Sequence, residues 1–180
     1  MVLNFVEKLK GLLMNPVEIL QQLREEGLWD ALTYFIIILV VYAVLFTMMI
    51  MTVLMGFIAL TGALLPEFGE WMPVLLFLGA LTGGLILVFL GGAWLQLWVY
   101  VFGGRRGYTH TVKSLMYGAT PAMLLGWIPI INIIGAIWAF ILQILGIREM
   151  HEISTGRAVI AVLIAFVIIP VIILVLLTSF

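Results

Sequence analysis

From Ala31 to Pro66, and again from Trp71 to Gly104, the chain carries no charged residue. Continued as an α-helix, residues 31–60 alone would be about 45 Å long at ~1.5 Å per residue, whereas the hydrocarbon core of a bilayer is about 30 Å thick. Both runs are therefore read as membrane-spanning helices that tilt, kink or project beyond the lipid. Composition agrees. Of the 180 residues 65% are hydrophobic and 9% are charged, against roughly 45–50% and about 25% in soluble domains. The expected fold is all-α: a polytopic transmembrane helix bundle of about five spans, preceded by short N-terminal amphipathic helices.

Polar breaks divide the rest. Val2, Phe5, Val6, Leu9, Leu12 and Leu13 recur at helical spacing, so residues 1–30 are read as cytoplasmic or interfacial amphipathic helices. Asn15-Pro16-Val17-Glu18 reads as a second helix start, with Asn15 as N-cap and Pro16 at the first helical position, and Gly27 as its stop. Glu7, Lys8 and Lys10 interrupt the first apolar pattern, so no cleavable signal is expected. Residues 31–180 form the transmembrane domain, with spans near 31–60, 72–102, 113–127, 129–147 and 158–178. Residues 61–71, with Pro66, Glu67 and Glu70, make the first loop; Gly103 to Gly107 makes the next break. The third segment is short and holds Gly118, Pro121 and Gly126, so it is expected to be bent or partly re-entrant, in a tight hairpin with the fourth. Gly79 and Gly83 are a small-xxx-small pair, which lets helix backbones approach closely in lipid. Packing within the chain is favoured over dimerisation, with a homo-oligomer left open.

The cations set the orientation. With five spans, all eight Lys and Arg residues (Lys8, Lys10, Arg24, Arg105, Arg106, Lys113, Arg148, Arg157) fall on one side, while the loop 61–71 carries only Glu67 and Glu70. The positive-inside rule then places the N-terminus in the cytoplasm and the C-terminus outside, in the cell membrane if the source is prokaryotic. The net charge of −1 argues against a nucleic-acid partner. The absence of cysteine excludes disulfides, thiolate metal sites and cysteine nucleophiles.

Little in the spans suggests chemistry. They hold no ionisable residue at mid-membrane depth, where such groups are kept mainly for function. Gln96, Asn132 and Gln143 are candidate pore residues, or more simply hydrogen-bond between helices. His110 and His151, with Glu149 and Glu152 nearby, have no spacing that demands a metal, and no cofactor is expected. Ser154 and Thr155 stand where they would cap the last helix. Gly156 and Arg157 beside them could touch a lipid headgroup. Arg105, Arg106, Lys113, Arg148, His151 and Arg157 are thus the candidate partner or headgroup contacts, anionic lipid being attracted to such cations.

Tyr117-Gly118-Ala119-Thr120-Pro121, the Trp127–Pro129 turn, Trp138, and the run Gly146-Ile147-Arg148-Glu149-Met150-His151-Glu152-Ile153-Ser154-Thr155-Gly156-Arg157-Ala158 together resemble the Yip-domain family of membrane proteins, named for interaction with Ypt/Rab small GTPases. The likeness covers roughly residues 12–178. It implies five spans, a cytoplasmic N-terminus, and a non-enzymatic role in binding partners or organising membrane. Tyr117, Gly118, Pro121, Gly146, Gly156 and Ala158 match the family pattern as helix-shaping positions, alongside His151 and Arg157. The family's long cytosolic N-terminal region and its Asp-Leu-Tyr-Gly-Pro motif are missing, as in the compact prokaryotic or archaeal branch, so no Rab-type partner is inferred. The expected function is a non-enzymatic membrane protein that binds protein partners or organises the bilayer from its cytoplasmic face. The alternative is a channel or facilitator for a small solute, ion or lipid.

Overall fold

The computed structural model describes residues 3–62 and 69–178; Val2, Pro66 and Glu67 lie outside them. The described chain is a succession of helices without a strand: α1 (Phe5–Met14), α2 (Pro16–Leu23), α3 (Leu28–Thr61), α4 (Met72–Val101), α5 (Tyr108–Gly118), α6 (Thr120–Leu125), α7 (Ile131–His151) and α8 (Thr155–Thr178). Three of them, α3, α4 and α7, are long and apolar enough to cross a membrane. The described apolar stretch of α8, Thr155–Ile168, is shorter.

Local chemistry explains the helix ends. Asn4 and Glu7 form a reciprocal capping box at the start of α1, each side chain accepting the other's backbone N–H at 2.9 Å. Pro16 opens α2, where its missing N–H costs nothing, but Asn15 makes no side-chain cap there. Gly27 does not stop α2, which ends at Leu23; it precedes α3, and its N–H is accepted by Asp30 at 3.2 Å. At 34 residues α3 is about 50 Å long.

The segment expected at 113–127 is two helices, not one, and its first helix begins earlier, at Tyr108 behind Gly107 at φ 91°. Pro121 causes the break. Its nitrogen cannot donate to the Tyr117 carbonyl four residues back; the Thr120 hydroxyl donates there instead, at 2.7 Å. The turn from α6 to α7 is tight. Ile131 N–H bonds the Pro129 carbonyl at 2.9 Å, holding Ile130 at φ 73°, ψ −50°, a γ-turn that is strained for a β-branched residue.

Two apolar clusters hold the bundle. One joins α1, α2, the first half of α3, α5 and α7 through residues such as Leu12, Leu20, Phe35, Met116 and Leu142. The other joins the end of α4 and α7 to the start of α8 through Leu95, Val99, Ile147, Ala158 and Val162. Beyond Thr47 in α3, and before Val88 in α4, no described residue is buried. Those halves are surrounded by whatever solvent the chain occupies, and their composition makes that solvent lipid.

Glycines set the closest approaches. A Cβ on Gly84 would lie 2.5 Å from Leu39, and one on Gly92 2.7 Å from Val112. In the α5–α6/α7 hairpin, Gly135 would meet Leu125 and the Pro121 carbonyl at 2.9 Å, Gly118 would meet Gln143 Oε1 at 2.8 Å, and Gly146 would collide with Ser114 Oγ. The pair expected to serve internal packing does not: Gly79 and Gly83 have nothing within 4 Å. The close contacts fall one helical step round α4, at Gly84 and Gly92.

Candidate functional site: the charged end of the bundle

α1, α2, the 102–107 loop, the start of α5, the end of α7 and the start of α8 meet at one end, and every cation of the chain is carried there. Its deepest member is Lys113. On the buried side of α5 and only 2% exposed, it donates from Nζ to the carbonyls of Arg24 at 2.6 Å, Glu26 at 2.7 Å and Leu23 at 3.4 Å. A helix leaves its last carbonyls without intrahelical donors, and here a lysine from another helix supplies them. Lys113 was expected to reach a partner or headgroup; its ammonium is occupied inside the protein instead.

Glu26 completes this lock. Its Oε2 accepts from Lys8 Nζ at 2.5 Å and from the Tyr117 hydroxyl at 2.9 Å. The Lys8 and Glu26 side chains are 5% and 12% exposed, so this is a buried pair whose disruption would strand a charge. The Tyr117 ring also packs, tilted, with its centroid 5.3 Å from that of Tyr34, whose hydroxyl shares a 3.1 Å bond with Thr120. One residue of the family pattern thereby ties α5 to both the α2–α3 turn and α3.

A shallower network surrounds Glu152. This residue closes α7 in the left-handed conformation (φ 54°) and receives Arg24 Nη1 at 2.5 Å and the Arg106 guanidinium on its other oxygen. The hydrogen bond from Arg106, reinforced by the charges of Arg106 and Arg24, holds its carboxyl below the ordinary carboxylate range. Being solvent-exposed, such pairs contribute little to stability. Next to it, Arg148 Nε bonds Glu149 at 2.6 Å, and Gln21 reaches the same carboxylate at 2.9 Å. Arg24 and Gln21 were not among the expected contacts. Their positions, in α2 and at its C-cap, gave no signal that α7 would lie alongside.

His151 is buried, contrary to its expected place on the contact surface. Thr111 Oγ1 donates to Gln96 Oε1 and lies 2.9 Å from His151 Nε2, so with its own proton committed it accepts from the imidazole N–H. His151 Nδ1 is left buried and without a partner. Burial first, then the neighbouring His110 and Arg106, depress its pKa to about 4; His110, with its ring 6.2 Å away, is lowered chiefly by burial too. At neutral pH the His151 imidazole is uncharged.

Three cations remain free at the surface. Arg105 stacks its guanidinium 3.8 Å over the Tyr100 ring. Arg157, in the first turn of α8, lies over Gly103, where a Cβ would be 3.3 Å from Nη1. Among the described residues neither of these, nor Lys10, has a carboxylate within ion-pair distance. The pore candidates do not converge: Gln96 is held by Thr111, Gln143 donates to Ser114 at 3.0 Å, and Asn132 is exposed near the start of α7. Of the family-pattern positions, Tyr117, Gly118, Pro121, Gly146 and Ala158 are buried at helix contacts, while Gly156 is exposed with open space around it. No group of three or more His, Asp or Glu suited to a metal occurs among the described residues.

Long apolar helices, an all-helical fold and charge gathered at one end define a polytopic integral membrane protein. Within that class, the chain matches the Yip1 domain over residues 10–177 and belongs to the Yip1-domain family. Comparison with curated proteins and with solved structures gave no match.

Proposed function

We propose that this is a non-enzymatic, five-span membrane protein that recognises anionic lipid headgroups or protein partners at its charged end. In this reading the charged end faces the cytoplasm, residues 1–30 lie against the membrane interface, residues 31–180 form the spans, and the C-terminus lies outside. One observation carries it. The end of the bundle that gathers all the cations spends Lys8, Arg24, Arg106, Lys113 and Arg148 on internal bonds, yet leaves Arg105 and Arg157 exposed and unpaired. Free arginines at headgroup depth attract anionic lipid by about 1 kcal/mol each. Exposed Trp29 near the start of α3 and exposed Trp71 just before α4 suit the two interfaces, where amphipathic aromatics collect. The channel reading is favoured less, because Gln96 bonds Thr111, Gln143 bonds Ser114 and Asn132 is exposed near the start of α7.

The test is lipid enrichment. Protein in nanodiscs of mixed zwitterionic and anionic lipid should retain excess anionic lipid, and Arg105→Gln/Arg157→Gln should lose roughly thirtyfold of that preference, about 2 kcal/mol. Equal enrichment by a correctly inserted double variant would overturn the headgroup assignment.

A further inference from the structure

A cleft of about 450 Å³ lies between the α5–α6/α7 hairpin and Phe166 of α8. Ala122, Ala136 and Ala139 line it, Phe140 and Phe166 meet edge-to-face at 5.7 Å beside it, and Gln143 is its polar member. Gln143 is 4% exposed. Its Nε2 donates to Ser114 Oγ, while Oε1 accepts no hydrogen bond from a described residue. The carbonyl is not sealed off with the buried unsatisfied atoms of the chain, and a donor entering the cleft can reach it. Gln96, by contrast, has its carbonyl satisfied by Thr111.

We propose that this cleft binds one hydrocarbon chain of a lipid that carries a hydroxyl close to its polar end, the hydroxyl donating to Gln143 Oε1. The register along α7 selects this occupant. Gln143 precedes Arg148 by five residues, about 7.5 Å along the helix. With Arg148 at headgroup level, as the proposed function has it, the free carbonyl falls near the boundary of the ~30 Å hydrocarbon layer, where a glycerol hydroxyl sits. From there the alanines at 139 and 136 continue toward the membrane centre over about 10 Å. Their small side chains leave width for a methylene chain, and the polar groups that the cleft offers are gathered at the Gln143 amide, at the end where the hydroxyl would lie.

The experiment uses the full chain in detergent micelles with a monoacylglycerol bearing a photoreactive diazirine in its chain. Cross-links should concentrate on α7 and α8 around residues 136–143 and 166. Unlabelled monoacylglycerol should compete at least tenfold better than the corresponding fatty-acid methyl ester, which has the chain without the hydroxyl. Gln143→Leu should abolish that tenfold difference. Ala139→Phe, a half-exposed position where a larger side chain fills the cleft without disturbing the core, should remove the labelling even if Gln143→Leu fails to fold. Cross-links spread evenly over α3 and α4, or equal competition by the two lipids, would overturn the proposal. Arg105→Gln/Arg157→Gln should leave the cleft labelling unchanged, so failure of the headgroup reading and failure of the cleft remain distinguishable.

Discussion

A Cβ at Gly146 would run into Ser114 Oγ and lie 3.5 Å from the Ser114 Cα, whereas one at Gly156 would meet nothing within 4 Å. Overpacking a tight helix contact costs about 1–3 kcal/mol, while Gly→Ala in an open helical position is neutral or stabilising by up to about 1 kcal/mol. Gly146→Ala should therefore lower the thermal midpoint in micelles by several degrees and Gly156→Ala should not. Equal midpoints would mean that α5 and α7 do not touch here. His151 gives a pH dependence with a definite sign. Its folded pKa of about 4 lies below the ordinary 6.5, so the unfolded chain binds more protons between those values. Stability is complete above pH 6.5 and falls as pH drops toward 4, by up to about 3 kcal/mol. His110, lowered from the same ordinary value, acts in the same direction. The Glu152 carboxylate, itself depressed, loses its contribution only below its ordinary 4.5. Melting curves between pH 7 and pH 5 should slope downward, and His151→Gln should flatten most of that slope; an unchanged slope would clear His151 of the effect.

At the scale of elements, α1 and α2 are fastened to the bundle by Lys113, Glu26 and Lys8 as well as by Leu12, Leu20 and Leu23. Lys113→Met would remove this donor from the carbonyls of Leu23, Arg24 and Glu26, at a cost of about 1–3 kcal/mol for buried acceptors left unsatisfied. Hydrogen exchange in micelles should then speed up at least tenfold across residues 5–23, with α4 and α8 unaffected. Protection unchanged in α1 and α2 would show that apolar contacts alone hold them. The hairpin is also an element-level outcome. Pro121 and the small residues of the third segment signalled a bend, but its place depended on Thr120 taking over the Tyr117 carbonyl.

For the molecule as a whole, the proposed five spans put the two N-terminal helices, the 103–113 region and the α7–α8 connection on one side and Glu70 on the other. The chain has no cysteine, which makes single-cysteine mapping direct. Glu18→Cys, Thr109→Cys and Ser154→Cys, all at exposed positions, should react with an impermeant maleimide from the same face of sealed vesicles, and Glu70→Cys from the opposite face. Reaction of Ser154→Cys together with Glu70→Cys would break the five-span count. The distribution of the core bears on the same scale: buried residues concentrate toward the charged end, and the long halves of α3 and α4 beyond it rely on lipid for their surroundings.

Hydropathy alone made this an all-helical membrane protein, because apolar runs of more than thirty residues admit no soluble solution. It also isolated the cations at a few breaks, and the residues around Tyr117 and Gly146–Ala158 carried the family resemblance. What periodicity could not supply was depth. Lys113 and His151 look, in sequence, like the other polar residues of their loops. They are buried because α5 and α7 bring them against the carbonyls ending α2 and against Thr111. Likewise Gly79 and Gly83 have the spacing of a packing motif, but the rotation of α4 turned Gly84 and Gly92 inward instead. Which of several equivalent residues meets a neighbour depends on how helices distant in sequence are rotated and set in register, and that was decided only in the tertiary structure.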